Sequence, residues 1–210
     1  MSDFLANLNA EQLDVFQEIG NIGSGNAVTA LATMLDREID MSVPKAQIVP
    51  FNKIVNVLNG PESLMVGILL GMVGDMNGYV LLAMTPDEAF ELASLAFGER
   101  REPPLVLNSE TVDEMDRSAL MEVGNILVGS YLSALAELTG MNLQATPPNL
   151  AIDMAGAIIS TVAIEFSQFG DNVLFLETTF KSQGSNIAGH FFLIPDDASF
   201  QALLDALGIA

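Results

Sequence analysis

Asp14-Val15-Phe16-Gln17-Glu18-Ile19-Gly20-Asn21-Ile22-Gly23-Ser24-Gly25 is answered later in the chain by Ser118-Ala119-Leu120-Met121-Glu122-Val123-Gly124-Asn125-Ile126-Leu127-Val128-Gly129. Glu18, Asn21 and Gly25 recur as Glu122, Asn125 and Gly129, each 104 positions on, and Asp14 is matched by Ser118. A proline follows each asparagine by 23 positions, Pro44 in one case and Pro148 in the other. Ala30-Leu31-Ala32 returns as Ala134-Leu135-Ala136 with the same shift. One shift shared by so many positions marks a duplicated unit.

At about 100° per residue the matched positions fall within roughly 60° of one another on an α-helix. Asp14, Glu18, Asn21 and Gly25 therefore form one stripe. Phe16, Ile19, Ala27, Ala30, Leu31 and Met34 take the opposite side, together with Gly20 and Gly23. In the second copy Leu120, Val123, Leu127, Tyr131, Ala134, Leu135 and Leu138 face away from Ser118, Glu122 and Asn125. The pattern predicts two long amphipathic helices, each with its apolar side on a core and its polar stripe outside.

A polar stripe is by default a solvated helix face. A solvated face has no reason to repeat the same Glu-x-x-Asn in two halves whose other outward residues differ, and Asn is a mediocre helix former. Glycine costs a helix interior up to ~1 kcal/mol relative to Ala. Gly25 and Gly129 lie on the stripe, where a missing side chain lets another protein's backbone come close. Gly20 and Gly124 lie inward, where close packing accounts for them. The run Gly20-x-x-Gly23-x-Gly25 has the wrong order for a dinucleotide loop, no strand before it and no P-loop lysine after it.

Half of the 210 residues are apolar, enough for a sizeable core. Cysteine is absent, so disulfides and thiolate metal sites are excluded, and a single histidine, His190, makes His-based metal sites and a Ser-His-Asp triad remote. His190 stands in an apolar strand-like run and reads as a packed or edge residue. With 7 basic against 27 acidic residues, net charge −20, the chain is unsuited to nucleic acid and to anionic membranes. A halophilic origin would also give such a charge. The segment Met1 to Asn7 lacks the positive and apolar regions of a signal peptide. The longest apolar run, Leu64 to Val73, is well short of the ~20 residues a spanning helix needs. The expectation is a soluble, cytoplasmic protein with no membrane insertion.

Read in order, Asn9 caps a helix to about Leu35, and Ile39 to Val49 is a strand whose internal Pro44 marks an edge or a bulge. Phe51 to Leu58 is a short helix ended by Gly60-Pro61. Ser63 to Gly71 and Gly78 to Met84 form a hairpin about Gly74 to Gly78, and Pro86 opens a helix to Phe97. Glu99-Arg100-Arg101-Glu102-Pro103-Pro104 reads as a linker. The second half repeats the programme with a long helix to about Gly140, a strand over Asn142 to Thr146 and a helix from about Asp153 to Glu165. Strands Asn172 to Phe180 and Gly189 to Ile194 follow, and Pro195 opens the last helix. The fold class is α/β (α+β): two pseudo-symmetric repeats, a mainly antiparallel sheet, and two long helices carrying the stripes outward. One domain over 1–210 is expected, built of repeats at about 9–98 and 109–208 with a linker near 99–108.

Glu and Asn on an open helix face do little chemistry unaided. The amide can hold a water by two hydrogen bonds and the carboxylate can bind a partner's lysine. That suits a reaction whose substrate brings its own metal and electrophile, such as hydrolysis of an aspartyl-phosphate. Asp14 and Glu18 could instead share a proton as an acid/base pair, although Ser118 breaks that pair in the second copy.

The doubled pattern [Asp/Ser]-x3-Glu-x2-Asn-x22-Pro resembles that of the CheC family of chemotaxis phosphatases, which includes CheX and the phosphatase part of FliY. The resemblance runs from about Glu11 to the last helix. It implies a substrate, the phosphorylated response regulator CheY, with Asn21 and Asn125 each positioning the attacking water. Glu18 and Glu122 would pair with the regulator's active-site lysine. Asp14 and Ser118 would support the sites, and Pro44 and Pro148 would shape the strand beneath each helix. No cofactor of the chain's own is implied, since Mg²⁺ would sit on the regulator. The resemblance also implies a second partner, the receptor deamidase CheD, touching the helix after the second proline at Asp153. Asp153 could equally be a helix cap or first-turn charge, and a non-catalytic adaptor for CheY and CheD is the alternative to a phosphatase.

Overall fold

The computed structural model describes residues 8–36, 38–165, 172–182 and 185–209, so the segment 1–7, read above for targeting signals, lies outside it. Asn9 sets the first helix going: its side chain accepts from the Gln12 N–H while Gln12 returns a bond to the Asn9 N–H. Helix α1 (Ala10–Leu35) follows, ending on Asp36 in a left-handed conformation. Strand β1 (Asp40–Pro50) leads through one turn of 3-10 helix into the short α2 (Ile54–Val57). Strands β2 (Leu64–Gly74) and β3 (Gly78–Met84) form a hairpin, and α3 (Pro86–Phe97) starts behind a Thr85–Glu88 capping box with Pro86 in its first turn. After a long connection come α4 (Glu114–Thr139), β4 (Leu143–Ala145), β5 (Asn149–Met154) and α5 (Ala155–Glu165). Strands β6 (Asn172–Ser182) and β7 (Ser185–Pro195) and helix α6 (Asp197–Leu207) complete the order.

Among the described residues the strands make one seven-stranded antiparallel sheet, in the order β1-β6-β7-β3-β2, with β4 and β5 sharing the far side of β2. The order reads alike from both ends. Strands β3 and β7, each followed by a helix, are neighbours at the centre. Strand β1 of the first half pairs with β6 of the second, and β5 of the second half pairs with β2 of the first.

Side-chain alternation sorts the core into two layers. Val80, Leu82, Leu174, Leu176, Phe191 and Leu193 face α1, α3, α4 and α6. Leu81, Ala83, Val173, Phe175, Phe192 and Ile194 face α2 and α5. Cover on both faces is why these strands read as unbroken apolar runs. It also explains the apolarity of α4, which by length and composition could cross a membrane: 56% of its most apolar stretch is buried inside the protein.

Several sequence-based expectations need correction. Ile152 to Met154 are not helical; they belong to β5, whose ladder runs from Leu64↔Met154 to Leu69↔Asn149, so Asp153 lies in a strand. Pairing with β2 outweighs a local pattern that suits a helix start equally well. Pro195 closes β7 opposite Gly78 rather than opening a helix, and Asp196 caps α6 through the Ser199 N–H. Met34 and Leu138, equivalent positions in the last turns of α1 and α4, are exposed. Ala30 is exposed while its equivalent, Ala134, is fully buried.

The connection at 99–113 is fastened. Arg101 Nε donates to the buried Asp116 carboxylate at 2.8 Å, its guanidinium lies 5.0 Å from the Phe97 ring, and its backbone N–H donates to Ser94 Oγ. The pair Arg100–Glu102 is largely exposed and contributes little by comparison.

His190 sits within the sheet on β7, opposite Ala83 and Glu177, with its Nδ1 buried and unpaired. Burial pulls its pKa below the ordinary value, against the opposing charges of Glu88 and Glu177. Between that depressed value and the ordinary one near ~6.5, the unfolded chain takes up a proton that the folded chain refuses. His190 therefore contributes stability that is full above about pH 6.5 and is lost as pH falls through the folded value. We expect His190→Gln to flatten this part of the profile when urea midpoints are compared between about pH 5 and pH 7.5; an unchanged slope would refute the assignment.

Candidate functional site

Asp14, Glu18, Asn21 and Gly25 are all exposed along α1. On α4, Ser118, Glu122 and Asn125 are exposed and Gly129 is half-buried. Behind each stripe the helix is anchored by large buried side chains. Phe16 stacks on Phe200 with ring centroids 6.0 Å apart, and Tyr131 meets Phe191 at 4.4 Å.

The glycines divide as their positions on the helix predict. A Cβ on Gly25 or Gly129 would meet nothing within 4 Å, so both leave open space on the stripe. A Cβ on Gly20 would lie 3.2 Å from Val43 of β1, and one on Gly124 would lie 2.8 Å from Ile68 of β2. Gly23 lets the two long helices touch, since its Cβ would stand 2.8 Å from the Tyr131 ring. Next to that contact the Tyr131 hydroxyl bonds Ser24 Oγ at 3.0 Å and Thr178 Oγ1 at 3.3 Å. Burial pushes the Tyr131 phenol above its usual range, so it stays a neutral link between α1, α4 and β6. Sequence reading places Tyr131 in the core but misses this chain, because nothing in the sequence joins Ser24 to Thr178.

Pro44 and Pro148 stand behind the stripes. The β1–β6 register shifts between Ser42 and Lys45, so Pro44 lies in the bulge of an edge strand. Pro148 lies in the break between β4 and β5, the same place in the second repeat. The Val43 N–H, in the bulge, donates to Asn21 Oδ1 at 3.1 Å. Glu18, Glu122 and Asn125 make no side-chain hydrogen bond or ion pair among the described residues, and no hydrogen bond joins Asp14 to Glu18. No cluster of three or more His, Asp or Glu with metal-binding geometry occurs among the described residues.

Asp153 is exposed and lies apart from both stripes. It lines a groove between β2, β5 and α5 with Leu69, Leu81, Ile158 and Thr161. Leu81 and Ile158 belong to the core layer on the far side of the sheet from α1 and α4. Exposed Met154 and Ile164 lie close by in sequence on β5 and α5.

Comparison with known proteins identifies the family of the chain. A profile of the CheC-like family matches residues 11–48, and a profile of the chemotaxis phosphatase CheX matches residues 66–168. Over 203 residues the chain is 37% identical to the CheY-P phosphatase CheC of Bacillus subtilis, covering 96% of each chain. The chain belongs to the CheC family. A more distant relation links this CheC-family protein to the flagellar motor switch phosphatase FliY of Bacillus subtilis, 26% identical over 69% of this chain and 36% of that one. In three dimensions it resembles Thermotoga maritima FliY, with a TM-score of 0.76 over 96% of this chain and 98% of that one at 23% identity, a likeness of fold. The CheC family's mixed fold of helices and antiparallel sheet is thus the fold of this chain.

Proposed function

We propose that this CheC-family protein is a phosphatase that hydrolyses the aspartyl-phosphate of the response regulator CheY, using Glu18 with Asn21 and Glu122 with Asn125. The observation that carries the reading is the display of both pairs on open helix faces, with their carboxylates unpaired and a side-chain-free glycine one turn further on. Such a pair cannot cleave a phosphate alone. It can complete a centre on another protein that already holds the phosphoryl group and Mg²⁺. The asparagine amide would orient a water in line with the phosphorus, and the glutamate would pair with the regulator's lysine and fix the docking register. No metal of the chain's own enters this scheme. Asp14 and Ser118 flank the docked surface, and Pro44 and Pro148 act through the strand behind. The 37% identity to a CheY-P phosphatase supports the substrate. Loss of phosphate from purified phosphorylated CheY, faster with this protein than without it, is the direct test; equal rates would overturn the proposal.

The apolar groove at β5 and α5 favours a second role, binding of CheD. Asp153 is an exposed edge-strand residue, and among the described residues its carboxylate accepts only from the neighbouring Met154 N–H. Asp153→Lys should lower CheD capture about tenfold or more, the scale for a charge placed wrongly in an interface, while leaving CheY dephosphorylation intact. Equal capture by both forms would remove Asp153 from the interface.

A further inference from the structure

The two asparagines are held differently, and the difference starts with one backbone N–H. In the first repeat Gly20 has no side chain, so the bulge of β1 comes close enough for Val43 to sit 3.2 Å from where a Cβ would be. That approach brings the Val43 N–H to Asn21 Oδ1 at 3.1 Å. A backbone N–H can only donate, so it fixes which end of the amide faces inward: the oxygen is tethered and the NH₂ group points away from β1. In the second repeat the residue equivalent to Val43, by the common shift of 104, is Pro147, which has no N–H. The space at Gly124 is filled by Ile68 of β2 instead, and the Asn125 side chain has no hydrogen-bond partner among the described residues.

We propose that the Val43 N–H is a positioning group for the first site, holding the Asn21 amide in one orientation, and that Pro147 leaves Asn125 free to rotate at the second. The proposal rests on the reading that each asparagine orients the attacking water. A tethered amide is already ordered before the regulator docks; a free one must be ordered in the transition state. The tether should therefore act on kcat rather than on docking. The role belongs to the main chain, so it does not show in the identity of residue 43. In the sequence it shows only as the contrast of Val43-Pro44 with Pro147-Pro148.

The test reads each site alone, the first in an Asn125→Ala background and the second in an Asn21→Ala background. Val43→Pro should lower kcat of the first site about two- to tenfold with KM for phosphorylated CheY unchanged, the range for one hydrogen bond. Pro147→Ala, at an exposed position, should raise kcat of the second site by a similar factor. Amide hydrogen exchange gives a readout independent of activity. Asn21→Ala should speed exchange at Val43, and Asn21→Asp, which keeps the acceptor but not the NH₂ group, should preserve protection while kcat stays low. If Val43→Pro does not fold, the exchange data and Pro147→Ala decide. Val43 exchange unaltered by Asn21→Ala would overturn the tether. In the Pro147→Ala variant, an unprotected amide at the substituted position or an unmoved second-site kcat would overturn the contrast between the sites. Activity that survives Asn21→Ala with Asn125→Ala would refute the assignment of the two asparagines to the reaction instead, leaving the exchange result to judge the hydrogen bond.

Discussion

Asn21→Ala combined with Asn125→Ala is expected to return the decay of phosphorylated CheY to the rate of the regulator alone. Removal of a single group aimed at a developing transition state commonly costs about 10²–10³ in rate, and here the same group is removed from both places that could supply it. Either change alone leaves the other helix competent, so single variants keep part of the activity. Stability should scarcely move. The Asn125 side chain makes no hydrogen bond among the described residues, and that of Asn21 makes one, with the Val43 N–H, worth about 0.5–1.5 kcal/mol. The measurement is phosphate loss from purified CheY with each variant, beside a urea midpoint to show the fold intact. Undiminished decay with the double variant would defeat the assignment of both sites at once.

The second large effect moves stability and activity in opposite directions. Gly25 and Gly129 sit inside helices, where glycine is the poorest choice after proline, and a Cβ at either would touch nothing within 4 Å. Replacing both by leucine should raise helix stability by roughly 0.5–1 kcal/mol per site. The same side chains would stand where another protein's backbone is expected to lie. Forcing extra carbons into a packed contact costs about 1–3 kcal/mol, which corresponds to a rise in KM for phosphorylated CheY of about 5- to 150-fold. A thermal unfolding curve and a substrate titration on the same preparation test both halves. Higher stability with unchanged KM would mean that the open faces at Gly25 and Gly129 do not receive the regulator.

Much of this is legible in the sequence for a definite reason. Two copies of one spaced pattern supply an internal comparison, and residues kept in both stand out without any relatives. The stripe, the long helices and the inward glycines come from that spacing, and the edge or bulge at Pro44 from a proline inside a strand pattern. What stays hidden is what depends on distant partners. β5 exists because β2 offers a free edge to Asn149–Met154, and nothing within those six residues announces it. The Ser24–Tyr131–Thr178 chain joins three elements that only the packed core brings together. The Val43 N–H is invisible because a backbone donor has no letter of its own.

The exchange of outer strands has a further consequence. Half of this chain, cut between α3 and α4, would keep β1, β2 and β3 but lose the partners of β1 and the cover along the outer side of β2. Two such halves could satisfy each other by the pairing that the whole molecule uses, now about a true axis relating identical subunits. Joining them in one polypeptide makes that marriage permanent and removes its dependence on concentration. It also releases the halves from identity, so that one half carries Val43 where the equivalent position of the other carries Pro147.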